Sequence, residues 1–130
     1  GSEYAFAQKI PYASILNQRS ELVEPTAESI SAAASGVIPA DTRTSITNAN
    51  ATGAYPIATF TWIIIYKEQN YSDRSKEQAI ATLDLLQYIL SDEAQKITSE
   101  VHYAPLPAKA KELSMKNLKT MTYDGMPILQ

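Results

Sequence analysis

Residues 53–69 read GAYPIATFTWIIIYKEQ, and they follow the almost wholly polar stretch TSITNANAT at 44–52. Between Phe60 and Tyr66 every residue except Thr61 is aliphatic or aromatic, and most are β-branched or aromatic. Such side chains lose rotamer freedom on a helix and pack well on a pleat. Pro56 marks the start of the run and Lys67-Glu68 its end. Continuous rather than alternating apolarity predicts a central strand covered on both faces, as in an α/β sheet. The uninterrupted stretch is far shorter than the roughly 20 residues of a membrane-spanning helix.

Working outward, Ile10–Leu16 (IPYASIL) is a second, weaker strand candidate. The helix signals are sharper. Thr26 follows Pro25 as a capping residue, with Ser29 placed for a reciprocal cap, and the small-residue run AESISAAAS ends at Gly36. Ser75-Lys-Glu-Gln78 forms a capping box ahead of Ala79, Leu83, Leu86 and Leu90, with Ile80 and Ile89 beside them. Ser91-Asp92-Glu93 starts a further helix with Ala94, Ile97 and Val101 on one face. Pro107 suits the first turn of a last helix, whose inner face is Leu113, Leu118 and Met121. Asp124-Gly125 is a turn signal before Ile128-Leu129, a short docked strand. Residues 39–56 form a polar connection unusually long for a compact domain.

Composition narrows the functional classes. The chain has 130 residues and a formal charge of −3, from 14 acidic and 11 basic side chains. That balance lacks the basic footprint of a nucleic-acid binder. Lys109, Lys111, Lys116 and Lys119 have the spacing of a solvated helix face. With no cysteine, thiol chemistry and Cys-based zinc sites are excluded. His102 is the only histidine, and its sequence neighbourhood holds no second metal ligand. No nucleophile elbow or glycine-rich phosphate loop is present, and no cofactor is implied. An enzyme finds no support in these residues. In the polar segment Asp41–Asn48, Arg43 among several hydroxyls can hold an oxyanion by charge-assisted hydrogen bonds. The plainer reading, a surface loop whose Ser, Thr and Asn bond their own backbone, carries more weight.

The order of four segments carries a resemblance. EYAFAQK (3–9), VEPTAESISAAASG (23–36), Ser45-Ile46-Thr47-Asn48 followed by AYPIATFTWIIIYKEQ (54–69), and YAPLP (103–107) together resemble the C-terminal part of the phosphate-binding protein of bacterial high-affinity phosphate ABC transporters. The resemblance runs from Glu3 to the tail. It implies a type II periplasmic-binding-protein architecture, of which this chain is a C-terminal fragment with a central apolar strand flanked by helices. Gly1-Ser2 reads as a protease-cleavage scar, and the resemblance divides the rest into the tail of one lobe (3–47), a hinge crossover (48–57) and the C-terminal part of the other lobe (58–130). It implies inorganic phosphate and a transporter permease as partners of the full-length protein, in the periplasm or cell envelope. The family's phosphate-contacting motifs have no counterpart here, so no ligand-binding residue is expected in this segment, and Arg43 does not match the family's phosphate arginine. Two further expectations follow. The same fold can serve as a sensor or scaffold for a protein partner. A fragment with two incomplete lobes leaves apolar edges that seek partners, through a swapped or edge-paired homodimer or a rearranged compact domain.

Overall fold

In the computed structural model, which describes residues 2–129, the elements run α1 (Ser2–Gln8), β1 (Ile15–Leu16), β2 (Leu22–Val23), α2 (Ala27–Ala33), α3 (Lys76–Ile89), α4 (Asp92–Glu100), α5 (Ala108–Leu118), β3 (Thr122–Tyr123) and β4 (Met126–Pro127). Gly1, the first residue of the expected scar, lies outside the described residues, while Ser2 opens α1.

Local signals explain the helix boundaries. Thr26 and Ser29 form a reciprocal capping box on α2, and Ser75 and Gln78 do the same on α3. The Ser91 side chain accepts from the Ala94 N–H at the start of α4. Helix α4 ends in a Schellman motif. The Tyr103 N–H donates to the Thr98 carbonyl at 2.8 Å, and the His102 N–H donates to that of Ser99 at 3.2 Å. His102 occupies the left-handed position with φ 64°. Pro107 caps α5 from just outside, without a side-chain hydrogen bond.

Both sheets are small antiparallel hairpins. Strands β1 and β2 pair Ile15 with Val23 and Leu16 with Leu22, and β3 and β4 pair Thr122 with Pro127 and Tyr123 with Met126. The second hairpin turns through Asp124 (φ 52°) and Gly125 (φ 72°). Positive φ at both central residues is what a tight hairpin matching the strand twist requires. The expected strand at 128–129 is not formed; the ladder closes at Pro127, and the Ile128 N–H donates to the Met121 carbonyl.

The largest departure is the apolar run. Residues 58–66 belong to no strand, and among the described residues none of residues 57–66 makes a backbone–backbone hydrogen bond. Ile63 and Ile64 are exposed, Ile64 at 92%. The expected central strand is therefore not realised in this chain. Strand formation needs a neighbour on at least one edge. The nearest ladder touches the chain only beyond the run, where Glu68 bridges in parallel to Thr122.

Two small cores flank the run. Ala33, Ala34, Ile46, Ala54 and Ala58 form one, with Ile30 and Phe60 against it. Ile38, Ala110 and Leu113 form the other, and Phe60 packs there too. Within the run, Ala58 is thus buried in the first core and Phe60 packs against both. Leu83 and Ala79 are fully buried on α3, which packs against α4 and α5. On α4 the expected apolar face is not the buried one. Ile97 and Val101 stand exposed, while Gln95 is buried. Its amide donates to the Ile89 carbonyl (2.9 Å) and accepts from the Leu106 N–H (2.7 Å), tying α4 to both neighbours.

Candidate functional site

Four polar centres and one apolar cleft are candidates for function. The first is the segment around Arg43. Its Nε donates to Asp41 Oδ2 at 2.9 Å and its Nη2 lies 2.8 Å from the same oxygen. The Arg43 N–H donates to Asp41 Oδ1, and the Thr47 N–H donates to Ser45 Oγ. The Arg43 side chain is 84% exposed. The guanidinium is neutralised by a carboxylate two residues away, the Thr42 hydroxyl donates to the Asp41 carbonyl, and the Thr47 hydroxyl donates to the Ala58 carbonyl of the apolar run. Hydrogen bonds from Arg43 in turn hold the Asp41 carboxyl below its usual range. In one chain the polar groups of this loop bond each other and the nearby backbone.

The second centre was not singled out in the sequence. Asn17 is buried at the start of the β1–β2 turn. Its amide donates to Glu21 Oε2 (2.7 Å) and to the Ala54 carbonyl (3.2 Å), and its Oδ1 accepts from the N–H groups of Arg19 (2.9 Å) and Glu21 (3.0 Å). All four hydrogen-bonding positions of the amide are thereby used. Glu21 Oε2 also accepts from the Gly53 N–H at 2.7 Å. Asn17 first, and then Gly53, depress the Glu21 carboxyl. The cluster fastens the hairpin to residues 53–54 and leaves Asn17 nothing to offer a ligand.

The third centre is an anion cradle, and the chain fills it itself. The Glu68 carboxylate accepts from the N–H groups of Asn70 (2.9 Å), Asp124 (3.0 Å) and Gly125 (3.1 Å), and from the Thr122 hydroxyl (2.8 Å). The Asn70 N–H bond, followed by that of Thr122, lowers its pKa to about 2. Successive N–H groups around a positive-φ turn are a known anion-binding arrangement. Here the anion is the carboxylate at the end of the apolar run, and its role is to anchor that end to the C-terminal hairpin.

The fourth centre is Arg74, before α3. Its Nη1 donates to the Tyr71 hydroxyl (2.8 Å) and its Nη2 to the Gln78 carbonyl (3.1 Å) and to Thr82 Oγ1. The guanidinium also lies 5.6 Å from the Tyr71 ring centre. Its Nε is buried without a partner. The chain's own acceptors thus take up both terminal nitrogens.

The cleft lies between the apolar run and helices α3 and α5, with a volume of about 220 Å³. Its apolar wall comes from the run (Phe60, Trp62, Ile63 and Ile65) and from Leu86 and Ile89 of α3, among others. Its polar groups are the neutral Thr42, Thr61, Ser114 and Asn117, and no charged side chain lines it. An inorganic dianion would find no cation there.

His102 lies 5.7 Å from the Phe6 ring, and its backbone conformation ends α4. Among the described residues no three His, Asp or Glu side chains come together as a metal site. Nor, among them, is any helix long and apolar enough to cross a membrane. Of the expected lysine face, Lys109, Lys116 and Lys119 are exposed, while Lys111 is half-buried. Lys109 and Lys116 both pair with Glu112 on α5, and Lys111 pairs with Asp92 of α4.

No family model matches the sequence. Curated relatives do. Proteins named "Phosphate-binding protein PstS" from two strains of Xylella fastidiosa are 36% and 35% identical over 107 residues, covering 80% of this chain and 28% of each relative. The protein of the same name from Methanocaldococcus jannaschii is 31% identical over 121 residues, covering 86% of this chain and 31% of the relative. The relatives' names describe binding and not catalysis, in line with the non-enzymatic reading. The resemblance carried by the four ordered segments is borne out: the chain is a relative of the phosphate-binding proteins PstS and spans a little under a third of their length.

Proposed function

We propose that this chain is the C-terminal portion of the substrate-binding component of an ABC transporter, and that the whole component captures inorganic phosphate for uptake. Its fold would be the type II binding-protein fold, its site of action the periplasm or cell envelope, and its partner a membrane permease. The single observation that carries this reading is 31–36% identity, over 80–86% of the chain, to proteins named for phosphate binding. In that fold residues 3–47 would end one lobe, 48–57 would cross between lobes, and 58–130 would complete the other.

The segment itself would contribute scaffold rather than phosphate ligands. Arg43 is paired with Asp41, Arg74 is engaged by Tyr71, Gln78 and Thr82, and the N–H cradle at Asn70, Asp124 and Gly125 is filled by Glu68. An anion site needs donors left free to converge on the ligand. Calorimetric titration of phosphate into the chain, with sulfate as comparison, tests this. The expected result is no saturable heat. Saturable, phosphate-selective heat abolished by Arg43→Ala would place a site in the 41–48 loop and overturn the scaffold reading. The alternative, a sensor or scaffold of the same fold whose ligand is a protein, has no observation of its own in its favour.

A further inference from the structure

Asp124-Gly125 is the only Asp-Gly pair in the sequence. In a flexible peptide such a pair is chemically labile. The glycine amide nitrogen, with no Cβ beside it to hinder approach, attacks the carboxyl carbon of the aspartate. A C–N bond forms, the carboxyl hydroxyl leaves with the amide proton as water, and a five-membered succinimide results. Water then opens the ring at either carbonyl. One opening restores aspartate; the other gives isoaspartate, whose main chain runs through the side chain and is one methylene longer.

In this fold both reacting groups are held. The Gly125 N–H donates to Glu68 Oε2 (3.1 Å) and the Asp124 N–H to Glu68 Oε1 (3.0 Å). The attacking nitrogen has to shed its proton, and a carboxylate bonded to that proton opposes the negative charge that would follow. Asp124 Oδ1 accepts from the Asn70 side-chain amide, and the Asn70 N–H donates to Glu68 Oε1 (2.9 Å). The carboxyl is thus tied to one residue and the nitrogen that would attack it to another. The β3–β4 ladder holds the turn between them at φ 52° and 72°. We propose that Asp124 is a latent isomerisation site and that Glu68, with Asn70, is the lock that keeps it closed. Loss of water from an aspartyl carboxyl is fastest in mildly acidic solution, where Glu68, with its pKa near 2, is still an ionised acceptor. Isoaspartate does not refit the cradle, because its extra methylene breaks the succession of N–H groups that Glu68 holds. Every group involved lies between residues 68 and 127 of this chain, so the inference does not rest on which anion the relatives bind.

The test follows isoaspartate in the intact chain, in mildly acidic buffer, beside a synthetic peptide of residues 120–130. Trypsin releases the same peptide from the chain after Lys119, and isoaspartyl methyltransferase labelling with chromatography counts the product. The folded chain should convert at least about tenfold more slowly than the free peptide, the order of protection expected from hydrogen bonds to a charged acceptor. Glu68→Ala should abolish most of that protection and Asn70→Ala a smaller part. Leu83→Ala loosens the core on α3 without touching the turn, and should leave the rate near that of the parent while circular dichroism shows the chain folded. Conversion of the parent as fast as the free peptide would overturn the proposal. So would acceleration by Leu83→Ala equal to that by Glu68→Ala, since the protection would then belong to the fold at large. A slower rate in Glu68→Ala would make Glu68 a base that assists the attack, the opposite of a lock. Should Glu68→Ala fail to fold, an unchanged rate in Asn70→Ala would overturn the proposal by itself.

Discussion

Helix α3 and the run 57–66 both carry a series of large apolar side chains, yet these end in different environments. Leu83 and Ala79 of α3 are fully buried, whereas Ile64 of the run is 92% exposed. The difference lies in where each element finds its hydrogen bonds. A helix satisfies its backbone internally, so α3 needs only a surface for its apolar stripe, and α4 and α5 follow it directly in the chain. A strand satisfies nothing by itself, and its neighbours are commonly distant in sequence. The run ends beside a two-residue strand that reaches Glu68 but not Ile65. The apolar side chains of α3 thus reach a core, while most of those in the run, Ala58 and Phe60 apart, stay exposed or half-buried.

The contrast can be broken most forcefully at α3. Leu83→Ala should cost about 2–5 kcal/mol in a denaturation experiment, the usual range for emptying a fully buried leucine site. A loss under half a kcal/mol would mean that α3 holds no core. Removing the cap of the same helix is a smaller injury. Ser75→Ala should cost about 1 kcal/mol, since it deletes the acceptor for the Gln78 N–H.

The anchoring of the run at its C-terminal end should show in a pH titration. Glu68 is held to about 2, well under the ordinary value of 4.5. Its folded pKa is the lower one, so its contribution to stability is fully present above the unfolded value. It fades as pH falls from about 4.5 and is gone once pH passes below about 2. A Glu68 carboxyl signal with a midpoint near 4.5 would show that the cradle is not formed in solution. Smallest of all, Ile64→Lys should leave the unfolding free energy of one copy within about 0.5 kcal/mol of the parent, as expected for an exposed site. A loss comparable to that at Leu83 would erase the distinction between the two regions.

What could be read from the sequence was what is decided locally. The caps at Thr26, Ser75 and Ser91, the left-handed Asp124-Gly125 turn, and the buried faces of α3 and α5 all depend on residues within a turn or two of each other. The family resemblance was equally legible, because the order of its four segments survives whatever the fragment does. The state of the run was not, since composition says how a strand would be covered but not whether the covering residues are present. The Asn17 cluster was missed for a related reason. Its polar neighbours at 19 and 21 were visible, but its partners Gly53 and Ala54 lie more than thirty residues away. The Arg43–Asp41 pair was missed although its partners are only two residues apart, because the reading rested on the hydroxyls of the loop and not on its one carboxylate.

The account rests on residues 57–66 making, among the described residues, no backbone–backbone hydrogen bond. Amide hydrogen exchange followed by NMR, at a concentration low enough to keep the chain monomeric, tests this most directly. The predicted result is exchange near intrinsic rates from Ala58 to Tyr66, beside slow exchange at Leu83 and its neighbours in α3. Protection of the run equal to that of α3 in the monomer would contradict the account, because it would require a strand neighbour from within the same copy.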